Sequence, residues 1–199
     1  MISELKMSNA HHTPLGDRGK RKIHPHKFTL WVAIGSILMM FAGLTSAFIV
    51  KSNQVGWRTI EIPKIFWIST AAIVLSSITV QMALRSFKNG EMNAYRLLIG
   101  VTLLLGVAFV SLQWVGFQQL WAQRITFQGS GAGQFLYVIF GLHAVHVIGG
   151  IVALIVMFMK AFASKTRVYS SVPVEVVATY WHFVDLLWIY LLVFFIVIS

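Results

Sequence analysis

Five long, almost unbroken apolar runs divide the chain, at about 28–50, 65–87, 95–117, 134–159 and 174–198, with short polar or glycine-containing joints between them. At about 1.5 Å per residue, roughly 20 apolar residues in a helix cross the hydrocarbon core of a bilayer. The runs are continuous rather than alternating and far exceed the roughly 9 to 11 residues of a membrane barrel strand. The pattern predicts an all-α polytopic membrane protein, a five-transmembrane-helix bundle over residues 28–199. A basic, mostly disordered cytoplasmic arm is expected over residues 1–27, where no apolar period exists. The first run lacks a convincing small-residue cleavage site and is too long for a signal peptide, so it is expected to be a spanning helix.

Finer patterns within the runs predict which faces pack. In the first helix, Gly43 and Ala47 form a small-xxx-small pair expected to let another helix approach closely. In the second, Ser69, Ala72, Ser76, Thr79 and Ala83 follow at steps of three and four, a weakly polar stripe that should face protein rather than lipid. Pro63 marks that helix's start, and Lys88-Asn89-Gly90 reads as its carboxyl cap with a tight turn. Gln113 on the third helix is expected to hydrogen-bond a neighbouring helix. The glycine-rich joint from Gln128 to Gly133 lacks the Lys-Ser/Thr of a phosphate-binding loop and reads as a flexible connection.

The last two helices carry the ionisable groups. His143, His146, Gly150 and Ala153 share a face of the fourth, with Gly149 and Ala153 as a second close-approach pair. Glu175, Ala178, Thr179, His182 and Asp185 form a stripe on the fifth, which Ser171 and Pro173 start. Helical rise places Asp185 roughly 17 Å and His146 roughly 20 Å from the same membrane face. They are therefore expected to meet, with His143 or His182, in a buried polar network fixing the last two helices. Intramembrane ionisable groups need such partners.

Composition and charge narrow the chemistry. Hydrophobic residues make up 57% of the chain and charged ones 11%, which excludes a soluble domain. Absence of cysteine excludes disulfides, thiolate metal sites and a thiol nucleophile. The net charge of +10 is asymmetric: the arm and the second and fourth joints hold most of the 16 basic residues, against Lys51, Arg58, Lys64 and Arg124 on the other side. The positive-inside rule puts the N-terminus in the cytoplasm and the C-terminus outside. Contact with anionic lipid, not nucleic acid, accounts for the remaining charge. His11, His12, His24 and His26 in the arm have no acidic or thiol companions and read as incidental.

On the residues alone, three readings of the intramembrane histidines stay open. They are structural hydrogen bonders, haem ligands drawn from His143, His146 and His182, or members of a proton or substrate path. Carboxylates are too few for a di-iron site, and no HExxH motif exists. An independent haem-b membrane cytochrome is the alternative to a non-catalytic packing role. A small transporter is a third, for which no convincing inverted repeat is visible.

The motifs also carry a resemblance. GLHAVHVIGG at 141–150, YWHFVDLLWIY at 180–190 and LSSITVQMA at 75–83 resemble the signature of subunit III of the haem–copper terminal oxidases, in its five-helix bacterial form. The likeness covers nearly everything after the arm. It implies an accessory, non-catalytic subunit of a proton-pumping cytochrome c oxidase, in a bacterial inner membrane, with a quinol oxidase as the less favoured variant. It further implies no haem or copper in this chain, both of them in the partner catalytic subunit I, subunit II as a further partner, bound phospholipid between the helices, and support of proton uptake. His143, His146, His182 and Asp185, with Glu175, then become structural or lipid-proximal positions. One departure is visible: many relatives carry a carboxylate after the serine of the first helix, where here Ser36 is followed by Ile37. Acidic positions of some relatives align with Ser69 and Gln113, leaving Glu175 near the cytoplasmic face.

Overall fold

In a computed structural model, which describes residues 25–52, 63–122, 131–163 and 171–198, the chain forms five helices and, among those residues, no strand. They are α1 (Pro25–Ser52), α2 (Ile65–Lys88), α3 (Met92–Ala122), α4 (Gly131–Ala163) and α5 (Val172–Ile198). All five are long and apolar enough to cross a membrane, so this is a multi-pass membrane protein. The arm before Pro25, its histidines apart from His26, and the glycine-rich joint before Gly131 lie outside the described residues.

The termini of α2 follow their local sequence. The Phe66 amide donates to the Pro63 carbonyl at 3.1 Å. At the other end Asn89 and Gly90 donate to Arg85 and Phe87, and Gly90 takes φ 80°, a conformation glycine adopts without steric cost. The resulting tight turn makes α2 and α3 an antiparallel hairpin, and α4 packs on α3. α5 lies against α1, α2 and α4, while α1 touches only α4 and α5. The bundle is thus a quartet of α2 to α5 with α1 laid along the α4–α5 side.

Hydrophobic transfer cannot drive this packing, because lipid is as apolar as leucine; close van der Waals fit and interhelical hydrogen bonds must. The α2 stripe accordingly turns inward, with Ser69, Ser76 and Ala83 fully buried. α1 differs from expectation. Its inward face is Ile34, Phe41, Thr45 and Phe48, whereas a Cβ at Gly43 would meet nothing within 4 Å. Large side chains fill the shallow α4–α5 groove better than a glycine would, so the Gly43–Ala47 pair brings no helix close within this chain. On α4 the close approach falls to Gly150 rather than Gly149: a Cβ at Gly150 would sit 2.9 Å from Trp181, one at Gly149 no nearer than 3.8 Å to the Tyr180 hydroxyl.

Candidate functional site

The stretch from Tyr180 to Tyr190 distributes its polar atoms over the helices around α5. Tyr180 Oη donates to the His146 carbonyl on α4 at 3.1 Å. Trp181 Nε1 donates to Ser76 Oγ and Trp188 Nε1 to Thr70 Oγ1, both on α2 and both at 3.0 Å. Tyr190 shares a 3.0 Å hydrogen bond with Thr45 on α1. One motif thus anchors α5 to three neighbours, to α2 through two indoles that are each 1% exposed and to α4 and α1 through the Tyr180 and Tyr190 hydroxyls.

α2 meets those donors with a device its stripe only half announced. Ser69, Thr70 and Ser76 each donate their hydroxyl hydrogen to a carbonyl of their own helix, Ser69 and Thr70 to Phe66 and Ser76 to Ile73. Having spent its hydrogen, each oxygen presents only lone pairs and must accept. Trp181 and Trp188 use two of these acceptors, and Gln113 Nε2 uses Ser69 at 2.9 Å. The interhelical role expected of Gln113 is therefore realised toward α2.

The ionisable residues do not converge. His182 is held by α2 through both ring nitrogens, Nδ1 to Ser77 Oγ at 2.5 Å and Nε2 to Gln81 Oε1 at 3.2 Å. Gln81 Oε1 can only accept, so a neutral ring with its proton on Nε2 satisfies both contacts. Asp185, 3% exposed, lies beside Ser77, and neither carboxylate oxygen has a hydrogen-bond partner among the described residues. His146 instead donates from Nδ1 to the Leu142 carbonyl of its own helix at 2.7 Å. The anticipated His146–Asp185 contact is not formed: the two share a depth, but Asp185 turns toward α2, not α4. His182→Leu should strand its partners at a cost of about 1–3 kcal/mol. Asp185→Asn keeps the shape, breaks no hydrogen bond seen among the described residues, and should leave Tm unchanged or higher. Thermal unfolding in detergent checks both; equal losses would assign Asp185 a paired role.

His143 is 2% exposed and ringed by aromatics, with centroid distances of 5.4 Å to Trp188, 6.4 Å to Phe41 and 6.5 Å to Phe109. Neither of its nitrogens has a hydrogen-bond partner among the described residues. Nor, among those residues, does any group of three or more His, Cys, Asp or Glu gather as a metal-binding set.

Glu175 sits apart, in the first turn of α5, where a carboxylate complements the helix dipole. Lys27 at the start of α1 reaches one oxygen at 2.6 Å and Lys88 at the end of α2 the other at 3.0 Å. One carboxylate thereby ties three helix ends together at the face carrying Arg85, Arg96 and Lys160. The sequence held no signal for this, since it depends on which ends are neighbours.

Comparison with known proteins supplies the assignment. The family described as Cytochrome c oxidase subunit III matches residues 27–199. The chain is 31% identical to the "Probable cytochrome c oxidase subunit 3" of Nocardia farcinica, covering 92% of this chain and 95% of that one. It is 30% identical to the Corynebacterium diphtheriae protein of that family over 79% and 83% of the two chains. With the Bacillus subtilis "Cytochrome c oxidase subunit 3" it shares 26% identity over 81% and 80%. On these matches, the chain belongs to the cytochrome c oxidase subunit III family.

Proposed function

We propose that the chain is the accessory, non-catalytic subunit of a proton-pumping cytochrome c oxidase. In this reading it packs beside subunits I and II, stabilises the catalytic subunit, binds phospholipid and supports proton uptake during reduction of oxygen to water. Haem and copper belong to the partner catalytic subunit. The observation that carries the reading is that the family match spans the whole helical part of the chain. Its supporting geometry is that the motif residues engage one another in packing. His182 commits both nitrogens to α2, and His143 is enclosed by Trp188, Phe41 and Phe109, which leaves those two imidazoles no open face for a porphyrin. His143, His146, Glu175, His182 and Asp185 are then structural and lipid-proximal positions rather than ligands.

The phospholipid reading is supported by an apolar groove of about 590 Å³ between α1 and α5, lined by Ile34, Leu38, Phe41, Phe183, Leu187 and Tyr190. An orientation with the N-terminus in the cytoplasm of a bacterium, and the C-terminus outside, is supported by charge. Lys27, Arg85, Lys88, Arg96 and Lys160 mark one end of the bundle, Lys51 and Lys64 the other.

Purification in mild detergent should bring down a haem- and copper-containing catalytic subunit, while the isolated chain should lack a Soret band. A Soret band that disappears on mutating His143 or His146 would instead establish the haem-b cytochrome. Glu175, fixed between two lysines, serves structure in this reading. Glu175→Gln is expected to leave the steady-state oxidase rate nearly unchanged, and a large loss of proton uptake would contradict it.

A further inference from the structure

Between α3 and α4, under the indole of Trp188, lies a cavity of about 30 Å³. Nearly all of its wall is carbon, including Phe109, Phe117, Phe140 and Val147. Two polar side chains interrupt it, Gln113 and His143, and both are more than nine-tenths buried.

Each brings a polar atom with no protein partner among the described residues: Oε1 of Gln113 and both nitrogens of His143. The orientation of the Gln113 amide is not arbitrary. Ser69 has already given its hydrogen to the Phe66 carbonyl at 2.9 Å, so it can only accept from Gln113, and Nε2 must be the atom facing it. That leaves an acceptor oxygen on one side of the cavity. On the other, every tautomer of an imidazole carries at least one N–H donor. The remaining candidate in the wall, Trp188 Nε1, is engaged with Thr70. An acceptor and a donor, both desolvated and both deprived of protein partners among the described residues, are costly to leave so, and a bound polar molecule removes that cost.

We infer that this cavity binds a single water molecule which bridges His143 and Gln113. About 10–15 Å³ of such space holds one water, and about 30 Å³ is the share of one molecule in the liquid, so the site takes one and not a cluster. The water accepts from the His143 N–H and donates to Gln113 Oε1. A chain of hydrogen bonds then runs in one direction across three helices, from His143 on α4 through water to Gln113 on α3, on to Ser69 on α2, and into the Phe66 carbonyl. Bonds aligned donor to acceptor in this way strengthen one another in a low-dielectric interior. The GLHAVHVIGG motif thereby acquires a binding role, toward water, that joins α4 to a pair of helices it reaches by no direct polar contact of these residues.

A high-resolution density map of the full chain in the complex it purifies with, together with one cavity-filling variant, tests the inference. One compact peak within hydrogen-bonding distance of Gln113 Oε1 and a His143 nitrogen is expected. Ala144→Val places a methyl group into the cavity wall. If the site is wet, expelling the water lowers Tm, by about 2–4 °C for each kcal/mol lost in a chain of this size. A dry cavity would give an unchanged or higher Tm on filling. A featureless cavity, an elongated acyl-chain density, or a direct Gln113–His143 bond would each overturn the assignment.

Discussion

Trp181→Ala is expected to destabilise the bundle by about 3–5 kcal/mol, the range for removing a buried large aromatic side chain. Three observations put it at the top of the scale. The indole is 1% exposed, its Nε1 occupies the Ser76 acceptor, and its ring fills the space between α3 and α4. Lipid cannot enter a hole enclosed by three helices, so the wall atoms lose their dispersion partners outright. Trp181→Phe separates the contributions, because it keeps an aromatic ring and gives up the N–H; a loss of about 1 kcal/mol is expected. Thermal unfolding of the purified protein in detergent reads both. A Trp181→Ala protein melting within experimental error of the parent would show that α5 is held some other way.

Gly150→Ala carries the second-largest expected effect, about 1–3 kcal/mol from overpacking. Its new Cβ would lie 2.9 Å from both Cε3 and Cζ3 of Trp181, closer than real contacts permit. The indole cannot retreat, since a Cβ at Gly106 on the opposite side would stand 2.9 Å from its Cη2. Gly149→Ala is the internal control: with no neighbour nearer than 3.8 Å, it should be neutral or gain up to about 1 kcal/mol of helix propensity. If the clash is the cause, Gly150→Ala combined with Trp181→Leu should recover part of the loss, a coupling expected only of residues in contact. Equal melting temperatures for the two alanine variants would refute the assignment of Gly150 as the close-approach residue.

Much of the architecture was legible because it follows from one-dimensional quantities. Run length marks a spanning helix, the step of three and four picked out Ser69, Ser76 and Ala83 as buried, and Asn89-Gly90 announced the turn between α2 and α3. Depth along a helix is equally one-dimensional, so Asp185 and His146 could be placed at one level. Direction around the helix is not. In an almost wholly apolar segment nothing distinguishes a lipid-facing side from a protein-facing one, and α1 illustrates the consequence: its small pair points away while Phe41 and Phe48 point in. For the same reason the partners of His182 on α2 were hidden, although Ser77 and Gln81 lie within the quoted second-helix motif. The Glu175 clamp needed knowledge of which helix ends adjoin, information no single segment contains.

The hydroxyl row on α2 also bears on how the chain can be assembled. With the hydrogens of Ser69, Thr70 and Ser76 already given to its own backbone, this row of the helix enters the bilayer with its donors satisfied. The lone pairs of Ser76 and Thr70 remain idle until Trp181 and Trp188 arrive on the last of the five helices in order of synthesis, whereas Ser69 is met earlier by Gln113 of α3. Insertion and recognition are thus separated in time. The early segments need no knowledge of their partners to cross the membrane, and the bundle closes only when α5 supplies the two N–H groups that α2 has been holding acceptors for.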